Sequence, residues 1–511
     1  MKILRFNKSF LAAALIIGCM GAQPICAADT TELVKRPEQL KFPPLVYEPP
    51  SPAQFRVTLK SGPVAYVIPD RTLPLVNIAV FVRTGSYLEP AGKEGLADLT
   101  GYLLARGGTK SQPAEQLEER LAFLAAQLNS GIGESQGSVS LNLLSKDLDE
   151  GLGILREVLT APRFQDDKIA LRKQQLLQGM KQRNDESEAI EAREYGFLAH
   201  GEQFWANRYP TAASLDGITR ADVENFHHQW FHPDNFVLAV SGDFDRDEMV
   251  GKLEKLFADW PFTGEKPSPI PTDTVLAKPG VYIVDKEVNQ GRVTIQLPGI
   301  KREDPDYFPV QVMNDILGGG GFTSHIMSSV RSDEGLAYSA GSSFPGGVYY
   351  PSTFTAEFQS KSRTVAYAAS IVLKEMKKMT EGPPNVQELE ISKRGYIDRF
   401  PHSFATKAQV ASMFAQDEFT GRYARDPEYF HEYRARIEAV TGGDVERVAK
   451  KYLAPDKAVI LVVGQKSDIS MKLPEHPVTL QELTSGPVTE LPLRDPLTMK
   501  PMTAPVKAEV R

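Results

Sequence analysis

Cysteine is nearly missing from this chain: Cys19 and Cys26 are its only two, both close to the N-terminus, in 511 residues. A folded part that begins after them has no disulfide framework and no thiol nucleophile. Long apolar runs are missing too. The one candidate, Phe10 to Ile17, is too short to span a bilayer. No stretch of Lys and Arg with interleaved aromatics occurs, and the net charge is −7. The chain therefore has no basic field to draw in phosphates, which argues against a nucleic-acid binder. No G-x-S-x-G elbow is present. The glycine run Gly318 to Gly321 lacks the G-K-[ST] ending of a phosphate loop, and no G-x-G-x-x-G opens a helix after a strand. What is present, 41% hydrophobic and 24% charged residues, is the composition of an ordinary globular protein long enough for two to four domains.

The first 28 residues read as an export leader. Lys2, Arg5 and Lys8 form a basic start, an apolar stretch follows, and Cys26-Ala27-Ala28 supplies small residues before a cleavage point. Ile16-Ile17-Gly18-Cys19 also fits a lipoprotein signal with Cys19 lipidated, so both a periplasmic protein and a periplasmic lipoprotein are open. Residues 29–52 are rich in proline and read as an extended strap. Alternation through Val57 and Leu59, the apolar run Leu75 to Val82, and period two over Gly137 to Leu143 predict strands. Helical periods cover 95–106, 113–128, 147–160 and 166–198. Alternating strands and helices imply a layered α/β (α+β) fold.

The chain repeats itself. Ile218 to Gly242 recurs as Val440 to Gly464 without a gap, with Pro233-Asp234 matched by Pro455-Asp456. This predicts two homologous domains, 53–262 and 280–466, joined by a proline-rich linker at 263–279. Residues 467–511, rich in proline, read as a mobile or strapping tail.

The frame Gly95-Leu96-Ala97-Asp98-Leu99-Thr100-Gly101-Tyr102, ending in Gly108-Thr109, resembles the zinc helix of the insulinase/pitrilysin-type peptidases. That helix carries H-x-x-E-H. The spacing puts two His on one helix face and a general-base Glu between them. Here the three positions hold Asp98, Gly101 and Tyr102. The third ligand of the family, a Glu about 75 residues on, falls at Gln178 or Gly179. The resemblance implies a degenerate zinc site and no metal bound by this chain. It also includes Phe81 to Ser86, Pro233 to Asp243 and Leu317 to Phe322, and spans about 53–466. It implies two domains, each a mostly antiparallel sheet packed with helices, closing as a clamshell around an extended peptide.

A second motif is intact. Arg331 through Gly335-Leu336-Ala337-Tyr338 is similar to the R-x-x-x-G-L-x-Y setting of zinc-free subunits in bacterial two-subunit members. There the Arg and Tyr hold substrate near the scissile bond. The alternative is that Arg331 is a surface residue and Tyr338 a core aromatic. Gly319 and Gly320, in the preceding glycine run, are candidate substrate contacts through close backbone approach and pivoting. His227, His228 and His232 are read as solvated helix-end residues, and Asp185 to Glu188 as a solvated face. The expectation is a non-catalytic, substrate-binding subunit of a periplasmic zinc metallopeptidase. Zinc would be supplied by a homologous partner bearing H-x-x-E-H, in a heterodimer or larger assembly. The alternative is a peptide-binding or scaffold protein of the same fold with no part in hydrolysis.

Overall fold

The computed structural model describes Arg36, Leu40 and residues 47–502. The leader with Cys19 and Cys26, and most of the strap, lie outside the described residues. Two six-stranded sheets organise the rest. The strands of the first are β1 (Arg56–Thr58), β2 (Val64–Pro69), β3 (Leu75–Val82), β4 (Gln127–Ile132), β5 (Gly137–Leu144) and β6 (Phe236–Gly242), in the order β1-β2-β6-β3-β5-β4. The second contains β7 (Gly280–Asp285), β8 (Gln290–Pro298), β10 (Ala337–Ser343), β12 (Thr353–Lys361), β13 (Val459–Gly464) and β14 (Val488–Leu491), in the order β10-β12-β8-β13-β7-β14. A short parallel pair, β9 (Ile300–Lys301) and β11 (Gly346–Gly347), stands apart.

The sheets share one plan. β6 lies between parallel β2 and antiparallel β3, and β13 lies between parallel β7 and antiparallel β8. Most pairs in each sheet are antiparallel. The sequence repeat underlies this identity. Helices Arg220–Trp230 and Gly442–Tyr452 begin with the same capping box, Thr219 with Asp222 and Thr441 with Asp444, which satisfies orphan N–H groups at each start. Each then leads through a Pro-Asp turn into the central strand. The result is the two-domain layered α/β architecture expected from the sequence.

β6 and β13 are buried along their whole length on both faces, and the reason is an exchange of helices. Helix Ser187–His200 of the N-terminal half lays Ile190 and Leu198 on Val284, Val459, Leu461 and Val463 of the second sheet. Helix Lys407–Phe419 of the C-terminal half lays Val410, Ala411, Phe414 and Ala415 on Tyr66, Ile68, Phe81, Val237 and Ala239 of the first. Each central strand thus faces its own domain's core on one side and the other domain's helix on the other, so a continuous apolar run is needed.

This exchange corrects the helix spans. The period over 166–198 is two helices, Asp166–Lys181 and Ser187–His200. The chain turns at 182–186 so that the second can cross to the other sheet. The helix expected over 113–128 stops at Phe123. Ala125 takes a left-handed φ of 48°, and β4 follows. In the tail, β14 extends the second sheet, and Arg494 then stacks on Phe197 at 4.3 Å and pairs with Glu202 at 2.6 Å. Leu497 O accepts from Ala212 N at 2.8 Å. Residues 488–497 therefore tie the second sheet back to the N-terminal half.

Candidate functional site

The zinc-helix positions lie on Leu96–Arg106. The start of this helix is held by Glu89, which is buried and accepts from Gly95 N at 3.1 Å and Ala97 N at 2.7 Å. Those two bonds favour its anion, but burial outweighs them and pushes the carboxyl up to about 7. Gly95 enters the helix at φ 102°, a left-handed conformation suited to glycine.

Asp98 and Tyr102, one turn apart, meet the same side chain. Arg172, on helix Asp166–Lys181, donates Nη2 to Asp98 Oδ1 at 2.7 Å and to Oδ2 at 3.0 Å, and Nε to Oδ1 at 3.1 Å. Its guanidinium also lies 4.3 Å from the centre of the Tyr102 ring. A fixed cation thus stands between the two positions that would carry the histidines, with the carboxylate already engaged. Gly101 faces β4 so closely that a Cβ would lie 2.3 Å from Ile132 N and 2.7 Å from Gly131 C. Ser130 locks this contact. It donates to Gly101 O at 2.6 Å and accepts from Ala105 N at 2.9 Å. Strand backbone fills the space that a glutamate side chain would need.

Gln178 is exposed on the helix that carries Arg172, and a Cβ on Gly179 would meet open space. Neither joins Asp98; Arg172 does. Among the described residues no group of three or more His, Cys, Asp or Glu is placed to hold a metal. The residues at this site do not fit zinc. A groove of 310 Å³ remains beside β4, lined by Asp98, Tyr102, Arg172 and the β4–β5 backbone.

Arg331 and Tyr338 come together in the other half. Tyr338 stands on edge strand β10 and is 86% exposed, which removes its reading as a core aromatic. The Arg331 guanidinium lies 4.9 Å from the Tyr338 ring and 4.7 Å from that of Phe322, itself 71% exposed. It makes no ion pair or side-chain hydrogen bond among the described residues. Gly335, at φ 64°, turns the chain into β10. Upstream, helix Tyr307–Asn314 widens into a π-helical turn, Asp315–Gly319. A Cβ on Gly318 would lie 2.5 Å from Ser342 N of β10. Gly319 and Gly320 are exposed beside this contact. The other long side of β10 has no strand partner among the described residues.

Arg172 carries no motif of its own, and Phe322 closes the Leu317 to Phe322 motif without a role assigned to it there. Arg172 could have been found as the complement to a lone Asp on a helix face, since it follows Asp98 by 74 residues. The histidines need correction. His227 is wholly buried and its Nε2 lies 3.0 Å from Leu159 O. It packs against the Phe164 and Phe231 rings at 5.6 and 5.0 Å, and burial lowers it to about 3. His232 is also buried; only His228 faces solvent. The core face of the helix is apolar apart from His227, which serves as a core aromatic, while His232 Nε2 lies 2.9 Å from Asn235 Nδ2 and 3.2 Å from Glu265 O.

The comparisons with known proteins agree with this architecture. Residues 66–196 match the family described as insulinase (peptidase family M16), and residues 217–396 match the peptidase M16 inactive domain. An uncharacterized zinc protease of Rickettsia bellii is 23% identical over 398 residues, covering 77% of this chain and 93% of that protein. A probable mitochondrial-processing peptidase subunit beta of Arabidopsis thaliana is 21% identical over 415 residues, 77% of this chain and 75% of that one. The solved structure of a peptidase M16 inactive domain from Pseudomonas fluorescens superposes with a TM-score of 0.71 at 23% identity, covering 80% of this chain and 97% of that one. With both halves matched and the repeated sheets in place, the chain belongs to the insulinase, or M16, peptidase family.

Proposed function

We propose that this chain is the zinc-free, substrate-binding subunit of an exported, periplasmic two-subunit metallopeptidase, paired with a homologous subunit that bears H-x-x-E-H and supplies the zinc. The observation that carries this reading is the contrast between the halves. In the N-terminal half Arg172 stands between Asp98 and Tyr102, and the β4 backbone closes on Gly101. In the C-terminal half Tyr338 stands on edge strand β10 with Arg331, from the helical turn before it, against its ring, and neither side chain makes a hydrogen bond among the described residues. A peptide added to β10 gains main-chain hydrogen bonds that tolerate many sequences. The Arg331 guanidinium reaches its carbonyls or a carboxylate, and the Tyr338 hydroxyl supplies a donor to an oxyanion developing at the partner's metal. Gly319 and Gly320 leave room for backbone to approach beside them.

The test is hydrolysis of a quenched peptide library by the purified chain, by a zinc-motif relative, and by their mixture. Activity is expected in the mixture and not from this chain alone. Tyr338→Phe is expected to lower kcat by about 100-fold, the scale of one oxyanion donor, and Arg331→Ala to raise KM as well. A complex that forms but cleaves no faster than the relative alone, with both variants silent, would refute the reading.

A further inference from the structure

A cavity of 670 Å³ lies where the two halves meet the linker, lined in part by Arg83, Tyr87, Ile270, Tyr349 and Phe419. Arg83 follows β3 and is largely enclosed there. Its ring partner is Phe419, at 4.9 Å, and its side chain makes one hydrogen bond, Nη2 to Phe419 O at 3.3 Å. A guanidinium has five N–H donors, and among the described residues the others meet no acceptor. The nearby carboxylate is already committed. Glu418 accepts from Arg56 Nε at 2.9 Å, Arg56 Nη2 at 3.0 Å and the Tyr66 hydroxyl at 3.0 Å.

Two further donors share the cavity. The hydroxyls of Tyr87 and Tyr349 make no hydrogen bond among the described residues, and burial raises both phenols, Tyr87 to about 12. They stay protonated at neutral pH. Of the other charged groups lining the cavity, Lys266 adds a cation, and Asp234 lies 3.0 Å from where a Cβ on Gly62 would stand. Val64, Phe236 and Ile270 make the walls apolar.

Burial pushes the Arg83 guanidinium down although the Glu418 carboxylate lies near enough to oppose this, so an anion that met the free donors directly would offset a desolvation cost. Three side chains that keep unpaired donors among the described residues, set beside apolar walls, describe the complement of a ligand with an anionic oxygen pair and an apolar body. We propose that this cavity binds a small organic carboxylate. The carboxylate pairs with Arg83 through parallel N–H donors, the two phenols fill its remaining lone pairs, and the walls cover the body. The volume suits such a ligand, since small-molecule sites run from about 300 to 1,000 Å³. A free acid and the C-terminus of a short peptide offer the same chemistry.

Isothermal titration of the full chain with 3-phenylpropionate and with the uncharged 3-phenylpropionamide tests this. The acid is expected to bind and the amide to bind at least about tenfold more weakly, a change of about 1.4 kcal/mol. Arg83→Gln should lose the acid by a similar factor or more. The Tyr87→Phe, Tyr349→Phe double variant, which keeps the shape of the site, should lose it several-fold with an unchanged melting curve, and it carries the test if Arg83→Gln does not fold. N-acetyl-Ala-Phe, titrated alongside, assigns the site to a peptide terminus if it binds more tightly than the simple acid, and to a free acid if less. Equal affinity for acid and amide, undiminished binding by either variant, or no binding of both acids at millimolar concentration would overturn the proposal.

Discussion

Substituting Gly101 by alanine sets two opposed effects against each other, and the structure says which wins. Gly101 lies inside the helix Leu96–Arg106. Propensity alone makes alanine more favourable there by about 1 kcal/mol. Packing says the reverse. The added Cβ would lie 2.3 Å from Ile132 N and 2.7 Å from Gly131 C, whereas carbon contacts settle near 3.5 to 4.0 Å. Helix and strand must part by about 1 Å, and neither contact is the end of a flexible side chain that could swing away. Overpacking of a tight interior costs about 1–3 kcal/mol, and the parting also strains the Ser130 bridge, which holds Gly101 O at 2.6 Å and Ala105 N at 2.9 Å. The expected net result is a loss of about 1–2 kcal/mol, read as a lower urea midpoint at unchanged slope. Gly101→Glu should lose more, since it adds a carboxylate to the same clash. A Gly101→Ala variant as stable as the parent, or more stable, would show that β4 yields freely and that the first half is not locked against a catalytic side chain.

Two other expectations bear on the frame around the site. Glu89, raised to about 7 by burial, favours its neutral form in the folded chain, so its contribution is complete below its ordinary value of 4.5 and is lost as pH rises through 7. That interval is worth about 3 kcal/mol. Glu89→Gln should therefore flatten the stability profile between pH 5 and 8 and fall behind least at the alkaline end; parallel urea-midpoint curves for the two proteins would refute it. Phe414 is fully buried where the helix of one half crosses the sheet of the other. Phe414→Ala should cost about 3–5 kcal/mol and speed proteolysis between the halves. A loss under about 1 kcal/mol would mean that the exchanged helix contributes little.

Much of the frame was legible because its causes are local. Period two over Gly137 to Leu143 is a strand with alternate residues buried, and the repeat announced itself through matched caps and Pro-Asp turns. The repeat also located β6 and β13, but their burial on both faces, and what covers them, came from the structure. The features that escaped have tertiary causes. Arg183 to Glu186 are acceptable helix residues, and only the crossing to the other sheet breaks the helix there. β4, Gln127-Leu128-Asn129-Ser130-Gly131-Ile132, has few strand-forming side chains and exists because β5 and the first helix hold it. At the site, sequence showed which side chains were missing but not what replaced them. Arg172, and the part Phe322 plays beside Arg331, became visible only as neighbours.

The replacement follows a rule that the repeat makes plain. In each sheet the free edge strand, β4 or β10, lies against the first long helix of its half. In the second half that helix meets β10 through Gly318, where a Cβ would stand 2.5 Å from Ser342 N. In the first half the helix meets β4 through Gly101, where a Cβ would stand 2.3 Å from Ile132 N. The two contacts are the same contact in two copies of one domain. A glutamate at position 101 requires helix and strand to stand apart, leaving space for a side chain that reaches a metal; a glycine lets them close and leaves no such space. The N-terminal half has the same close packing as its C-terminal counterpart, and Arg172 pairs with Asp98 and covers the Tyr102 ring. Restoring the zinc motif by Asp98→His, Gly101→Glu and Tyr102→His alone would leave Arg172 beside the new ligands and β4 against the new base. Removing the guanidinium and opening the strand contact are both required before this helix can present a metal site.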